Sequence, residues 1–134
     1  MAPTDPVLTG VLSRDVSKFW PHIEGMLADA LQDSSWTLDE VAYGLGAKEM
    51  QLWLATSPGL GIEAVAVTRI TDRGCSVCAL TGEEPDRWLH LLSQIEDWAR
   101  EHGCDRSYFE ARRGFERKLP DYRVTRILME KRLG

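Results

Sequence analysis

The chain has 134 residues, 43% of them hydrophobic and 28% charged, with 11 Gly and 6 Pro. That length fits one compact domain, and the composition excludes disorder, collagen and a disulfide-stapled miniprotein. Sixteen basic against 21 acidic residues leave a net charge of -5, which disfavours non-specific binding to nucleic acid.

The charge is unevenly placed. Residues 1–105 carry 7 basic and 17 acidic side chains, whereas residues 106–134 carry 9 and 4. Three cysteines, Cys75, Cys78 and Cys104, are an odd number and make a poor disulfide framework, so a reducing, cytoplasmic setting is expected. Residues 1–10 have neither the basic start nor the apolar stretch of a signal peptide. No apolar run approaches the roughly 18 residues of a membrane span, so no membrane contact is expected.

Residues 1–12 read as an arm with a short strand at Pro6–Leu12, and residues 13–134 as a single domain. Val16, Phe19, Trp20, Ile23, Leu27, Ala30 and Leu31 recur at helical steps. Pro21 interrupts them, which puts the start of the regular helix near Trp20. Thr37-Leu38-Asp39-Glu40 is a capping box, with Trp36 and Val41 at the positions of a hydrophobic staple. It opens a second helix that should run to about Leu45, stopped by Gly44 and Gly46.

The period then changes to two. Met50–Thr56, Ile62–Ile70 and Cys75–Leu80 read as three strands joined by tight turns at Ser57-Pro58-Gly59 and Asp72-Arg73-Gly74. Pro85 opens one long helix with Trp88, Leu91, Leu92, Ile95, Trp98 and Ala99 on one face, closed by Gly103. Ser107–Ala111 is a strand, Phe115–Leu119 a helical turn, and Tyr122–Lys131 a last strand. The fold class is mixed α/β (α+β): one sheet, mostly antiparallel, with flanking helices.

That order, together with the stretch from Trp98-Ala99-Arg100 through Gly103-Cys104 to Arg112-Arg113-Gly114-Phe115, resembles the GNAT superfamily of N-acetyltransferases. Leu52-Trp53-Leu54 and the same stretch resemble, more narrowly, small GNAT-like proteins of tailed phages and prophages. The family resemblance implies a diphosphate-binding loop of the form (Q/R)-x-x-G-x-(G/A) ahead of the long helix, where backbone N–H groups hold acetyl-CoA. The corresponding residues here are Leu80-Thr81-Gly82-Glu83-Glu84-Pro85-Asp86-Arg87. They hold one glycine and three carboxylates, each repelling an anion by about 1 kcal/mol at a surface. Leu80, Gly82 and Arg87 are the residues of this stretch that would bind the cofactor if it is used.

The family also implies a tyrosine acid and a carboxylate base. The short helical turn puts Phe115 or Glu116 where the tyrosine belongs, leaving Glu63, Glu110 and Tyr122 as the catalytic candidates. Cys75 and Cys78 lie three apart on a strand, so their sulfurs diverge and no metal site is expected. The basic cluster around Arg112, Arg113, Arg117 and Arg123 is the candidate surface for an anion or an acidic partner, with pairing to Asp97, Glu101 or Asp105 as the more economical role.

The first expectation is therefore a phage- or prophage-type protein with a GNAT-like fold and no cofactor. It would act by contact with a virion or host protein, or by self-association. The alternative is an acetyl-CoA-dependent N-acyltransferase with an atypical loop, acting on a small amine or protein amino group. RNA or nucleotide binding through the basic third is weaker still, because the net charge opposes it.

Overall fold

A computed structural model describes residues 4–32, 34–111 and 114–134. Five strands form one sheet in the order β1 (Val7–Val11), β2 (Gln51–Ser57), β3 (Gly61–Thr71), β4 (Gly74–Gly82) and β5 (Ser107–Phe109). The first four are antiparallel to their neighbours, and β5 runs parallel to β4. A parallel neighbour requires a crossover, here made of α3 (Pro85–Trp88), a 3-10 turn (Leu89–Leu91) and α4 (Leu92–Glu101). The mixed α/β class and the mostly antiparallel sheet agree with the sequence reading.

Period-two alternation decides which side chain meets which layer. Leu52, Leu54, Val65 and Val67 face α1 (Val16–Ala30) and α2 (Leu38–Gly46), where Ile23, Leu27, Val41 and Leu45 are wholly buried. The opposite face presents Trp53, Ala55, Ala64 and Ala66 to Trp88, Leu91, Leu92, Ile95 and Ala99. Alanines on β3 leave room for the two indoles there. Trp53 donates to Thr68 Oγ1 at 2.9 Å, so its buried N–H is satisfied.

Four expectations need correction. The first helix begins at Val16 and carries Pro21 inside it; Pro21 lies on the exposed face, where burial of Ile23 and Leu27 outweighs one lost hydrogen bond. The single long helix is broken after Trp88, whose indole donates to the Glu83 carbonyl at 2.7 Å. The tighter turn that follows lets Trp88, Leu91 and Leu92 all reach the sheet. Strand β5 stops at Phe109 rather than Ala111. The last strand, Tyr122–Lys131, is absent: Leu119 is buried, the chain turns at Pro120-Asp121, Tyr122 touches β5 by its side chain, and the residues beyond the turn join no strand ladder among the described residues.

Candidate functional site

β4 and β5 pair at only three positions, Cys75↔Ser107, Ser76↔Tyr108 and Val77↔Phe109. Beyond them β4 runs on from Cys78 to Gly82 with no strand neighbour on that side among the described residues, while β5 has ended. A bulge coincides with the parting: Val67 pairs with Ala79 but Thr68 with Val77, so Cys78 is the extra residue. The sheet therefore opens after Val77, leaving a stretch of β4 unpaired on that edge among the described residues, with Cys78 and Ala79 still buried.

Glu110 is the first residue past the pairing. Its carboxylate accepts from the Ser35 hydroxyl (2.7 and 2.6 Å to the two oxygens) and from the Ser35 N–H at 3.2 Å. Ser35 belongs to the segment between α1 and α2, so this clasp joins that segment to the opening. Next to it Arg69 lies over the Trp36 ring, 5.6 Å from the centroid. Trp36 and Arg69 also line a cavity of about 380 Å³, together with Asp39, Tyr43, Glu49 and Met50. Cys78 borders the same region, and burial first of all pushes its thiol up.

Glu63 and Arg87 meet on the other side of β4. Glu63 is the extra residue of a bulge in β3, since Ala55 pairs with Ala64 but Thr56 with Ile62. Arg87 donates to it twice, at 2.5 and 3.1 Å, and once to the Thr4 carbonyl at 3.1 Å. The Arg87 hydrogen bonds hold the Glu63 carboxyl below the usual carboxylate range, against the raising effect of its burial. Glu63 is 8% exposed, so it is a buried partner of Arg87 rather than a free base. Gly82 pairs with Ala64, and a Cβ there would collide with the Glu63 carbonyl; its small size serves strand packing. The Leu80 side chain packs among the apolar groups beneath α4.

Tyr122 stands at the opposite end of β5 from the opening. Its hydroxyl donates toward Glu96 (2.6 Å) and Ser107 (2.8 Å), and its ring meets Phe109 edge-on at 5.0 Å. Burial, then the Glu96 hydrogen bond, raises its pKa well above that of a free phenol. Tyr108 shares its hydroxyl with Thr71, also at the paired end. Neither reaches the opening.

Arg112 and Arg113 lie outside the described residues. Arg117 and Arg123 are exposed, and neither forms an ion pair among the described residues. The expected pairing of the basic cluster with Asp97 is corrected, because Asp97 is held by Arg100 one turn away. Cys75 faces α4 and Cys78 faces α1 and α2, so their sulfurs diverge as the spacing implies. Burial pushes the Cys75 thiol up to about 12, which makes it inert as a nucleophile.

The sequence offered Glu110 as one of three catalytic candidates, a carboxylate on the Ser107–Ala111 strand, without its surroundings. Its clasp by Ser35 had one readable signal, a polar break directly ahead of the capping box. The bulge at Cys78 had none.

No family model matches the chain, and no curated protein matches it. Solved structures do. A ribosomal-protein-alanine N-acetyltransferase from Brucella melitensis biovar Abortus 2308 superposes with a TM-score of 0.66 at 14% identity, covering 96% of this chain and 99% of that one. A predicted acetyltransferase with acetyl-CoA from Clostridium acetobutylicum gives 0.65 at 14%, over 95% and 96%. An aminoglycoside acetyltransferase from an uncultured soil metagenomic sample, in complex with sisomicin, gives 0.66 at 10%, over 96% and 97%.

The fold is the GNAT fold. All three neighbours are named for acetyl transfer, which overturns the expectation of a non-catalytic phage or virion protein acting by contact. The residues present suit acetyl-CoA unequally. The unpaired edge of β4 suits an extended amide arm, because it offers strand-like donors and acceptors. The loop after it has one cation, Arg87, amid the exposed carboxylates of Glu83, Glu84 and Asp86, and Pro85 contributes no N–H. The strand edge is therefore compatible with an amide arm, and Arg87 is the cation that the loop offers an anion.

Proposed function

We propose that this chain is an acetyl-CoA-dependent N-acyltransferase with an atypical diphosphate loop, acting on a small amine or a protein amino group in the cytoplasm. The observation that carries the reading is the parting of β4 and β5 after Val77 and Phe109, with Glu110 as the first residue beyond it. The fold it shares with named acetyltransferases supports the same reading. Three unbridged thiols agree with a reducing compartment.

When bound, acetyl-CoA supplies an acetyl group already activated as a thioester. The backbone from Cys78 to Gly82 would hold its extended arm, and Arg87, keeping its pair with Glu63 through Nε and Nη2, would turn its Nη1 donors to the diphosphate. Transfer would join the amine nitrogen to the acetyl carbon and break the thioester C–S bond; Glu110 would take the proton that the amine loses and could return it to the departing sulfur. Ser35 fixes the direction of that carboxylate, and the Trp36–Arg69 wall bounds the acceptor side. The hydroxyls of Tyr108, on β5, and of Tyr122, beside it, are engaged with Thr71 and with Glu96 and Ser107, and the proposal places the proton chemistry on Glu110.

Titration calorimetry with acetyl-CoA and with CoA tests the reading. Saturable binding is expected, with a thermal stabilisation equivalent to about 2.7 kcal/mol at a hundredfold excess over the dissociation constant. Arg87→Ala should weaken binding of both ligands. Heatless titrations at millimolar ligand, with no shift in melting temperature, would sink the proposal.

A further inference from the structure

Beside α2 lies the cavity of about 380 Å³, a size that suits a small organic molecule. Asp39 and Tyr43 stand four residues apart on α2 and so share a face. Met50 is buried and packs onto the helix at Gly44, where a Cβ would lie 2.7 Å from its sulfur. The thioether and the α2 backbone thus bound the cavity together. Glu49 lines it next to Met50, and Trp36 with Arg69 completes the wall.

The charged groups lining the cavity are Asp39, Glu40, Glu49 and Arg69, three carboxylates against one guanidinium. The partial positive charge at the start of α2, about half a unit, does not reverse that balance. Glu40 gives one oxygen to the helix cap, and Arg69 lies over the Trp36 ring. Asp39 and Glu49 form no ion pair among the described residues. Tyr43 is 71% exposed, and an aromatic face beside carboxylates attracts an ammonium group. The guanidinium over Trp36 repels a second cation from that wall, which directs it to Asp39, Tyr43 and Glu49.

An amine held there is not the one that reacts. Glu110 is outside the cavity lining and is joined to it through Ser35, whose neighbour Trp36 is part of the wall. A ligand that fills both places has two cationic centres linked by a chain. We propose that the acceptor is a small di- or polyamine: Asp39 and Glu49 hold one ammonium against the Tyr43 ring, and a second nitrogen of the same molecule reaches Glu110 and is acetylated. That nitrogen, as the neutral amine, bonds the acetyl carbon while the thioester C–S bond breaks. The proton it loses passes by Glu110 to the sulfur, so CoA leaves as the thiol and the held ammonium is unchanged. The acceptor role rests on the acyltransferase reading above, whereas the cation site rests on the cavity.

Titration calorimetry of the full chain with spermidine, without cofactor, reads the cation site. Binding is expected to be about tenfold tighter than that of n-butylamine and to weaken as sodium chloride is added. Asp39→Asn/Glu49→Gln should weaken it by about tenfold and Tyr43→Leu by about threefold, each with an unchanged far-UV circular dichroism spectrum. In steady-state acetyl transfer, wild type should favour spermidine over n-butylamine in kcat/KM by about the same tenfold, and the double variant should bring that ratio toward one. Equal binding of the two amines, or spermidine binding that survives the double variant, overturns the proposal. So does tighter binding of 4-aminobutyrate, which would make Arg69 the anchor for a carboxylate. A chain that binds acetyl-CoA but does not distinguish the amines loses this proposal and keeps the acyltransferase reading. One that binds spermidine through Asp39 and Glu49 but binds no acetyl-CoA loses that reading, and the acceptor role with it.

Discussion

Glu63 and Glu110 both follow from β-rich sequence, yet their surroundings give them different work. Glu110 is exposed and, among the described residues, hydrogen-bonded by Ser35, so it can exchange protons with an incoming amine. Glu110→Gln keeps the shape and both Ser35 contacts while removing the basic oxygen. Acetyl transfer should fall by about 10²–10⁴-fold, with stability changed by less than about 0.5 kcal/mol; steady-state rates and urea unfolding on the same samples check it. Glu63 is buried against Arg87, which keeps its folded pKa below the unfolded value near 4.5. A depressed carboxylate contributes stability above the unfolded pKa, and that contribution is lost as pH falls through the folded one. Arg87→Ala leaves the carboxylate buried without its cation. The variant should be clearly less stable than wild type at pH 7, and the gap should narrow on acidification below about pH 4.5 as Glu63 takes up a proton. Urea midpoints at pH 7 and pH 4 read this directly, and a gap that widens in acid contradicts it.

At the scale of elements, the α2 cap was the most legible feature of the chain because all its partners lie within three residues. Thr37 accepts from the Glu40 N–H at 3.1 Å, and the Glu40 carboxylate accepts from the Thr37 N–H at 3.0 Å. Thr37→Ala should cost about 1 kcal/mol. The cap also anchors Ser35 and Trp36, so the same variant should raise the KM for amine more than it lowers kcat, which a steady-state comparison resolves. Pro21 was legible as a residue but its consequence was not, because whether a helix tolerates a proline depends on burial across the sheet. Its ring is exposed and it forfeits one hydrogen bond. Pro21→Ala should therefore stabilise the chain by about 1–2 kcal/mol, the helix gain of about 3 being reduced by the freer unfolded chain. The bulges at Glu63 and Cys78 were illegible for a different reason. A bulge is a count of residues on one strand against another, and neither strand carries that count alone.

At the scale of the molecule, the order of helices and strands was readable because each element declares its own period. The expectation of a cofactor-free protein rested in part on summing the charges of the loop after β4. The folded chain distributes those charges: Arg87 neutralises Glu63 from inside, while Glu83, Glu84 and Asp86 face solvent, where a carboxylate is strongly screened. The opening beside β4 is likewise a property of two strands that stop pairing, invisible to a composition argument. This uneven pairing has a dynamic consequence. β2, β3 and β4 are paired along most of their lengths and carry Leu52, Val65, Val67 and Val77 at 0–1% exposure. β5 is held at three positions. Amide hydrogen exchange should show global protection in the centres of β2 and β3 and early exchange in β5, because local opening there breaks few contacts. Adding acetyl-CoA should slow exchange along Cys78–Gly82, where the unpaired edge gains partners, and leave β1 unchanged. Equal protection of β5 and β3 in the free protein would mean that the opening is closed by contacts this sheet does not contain.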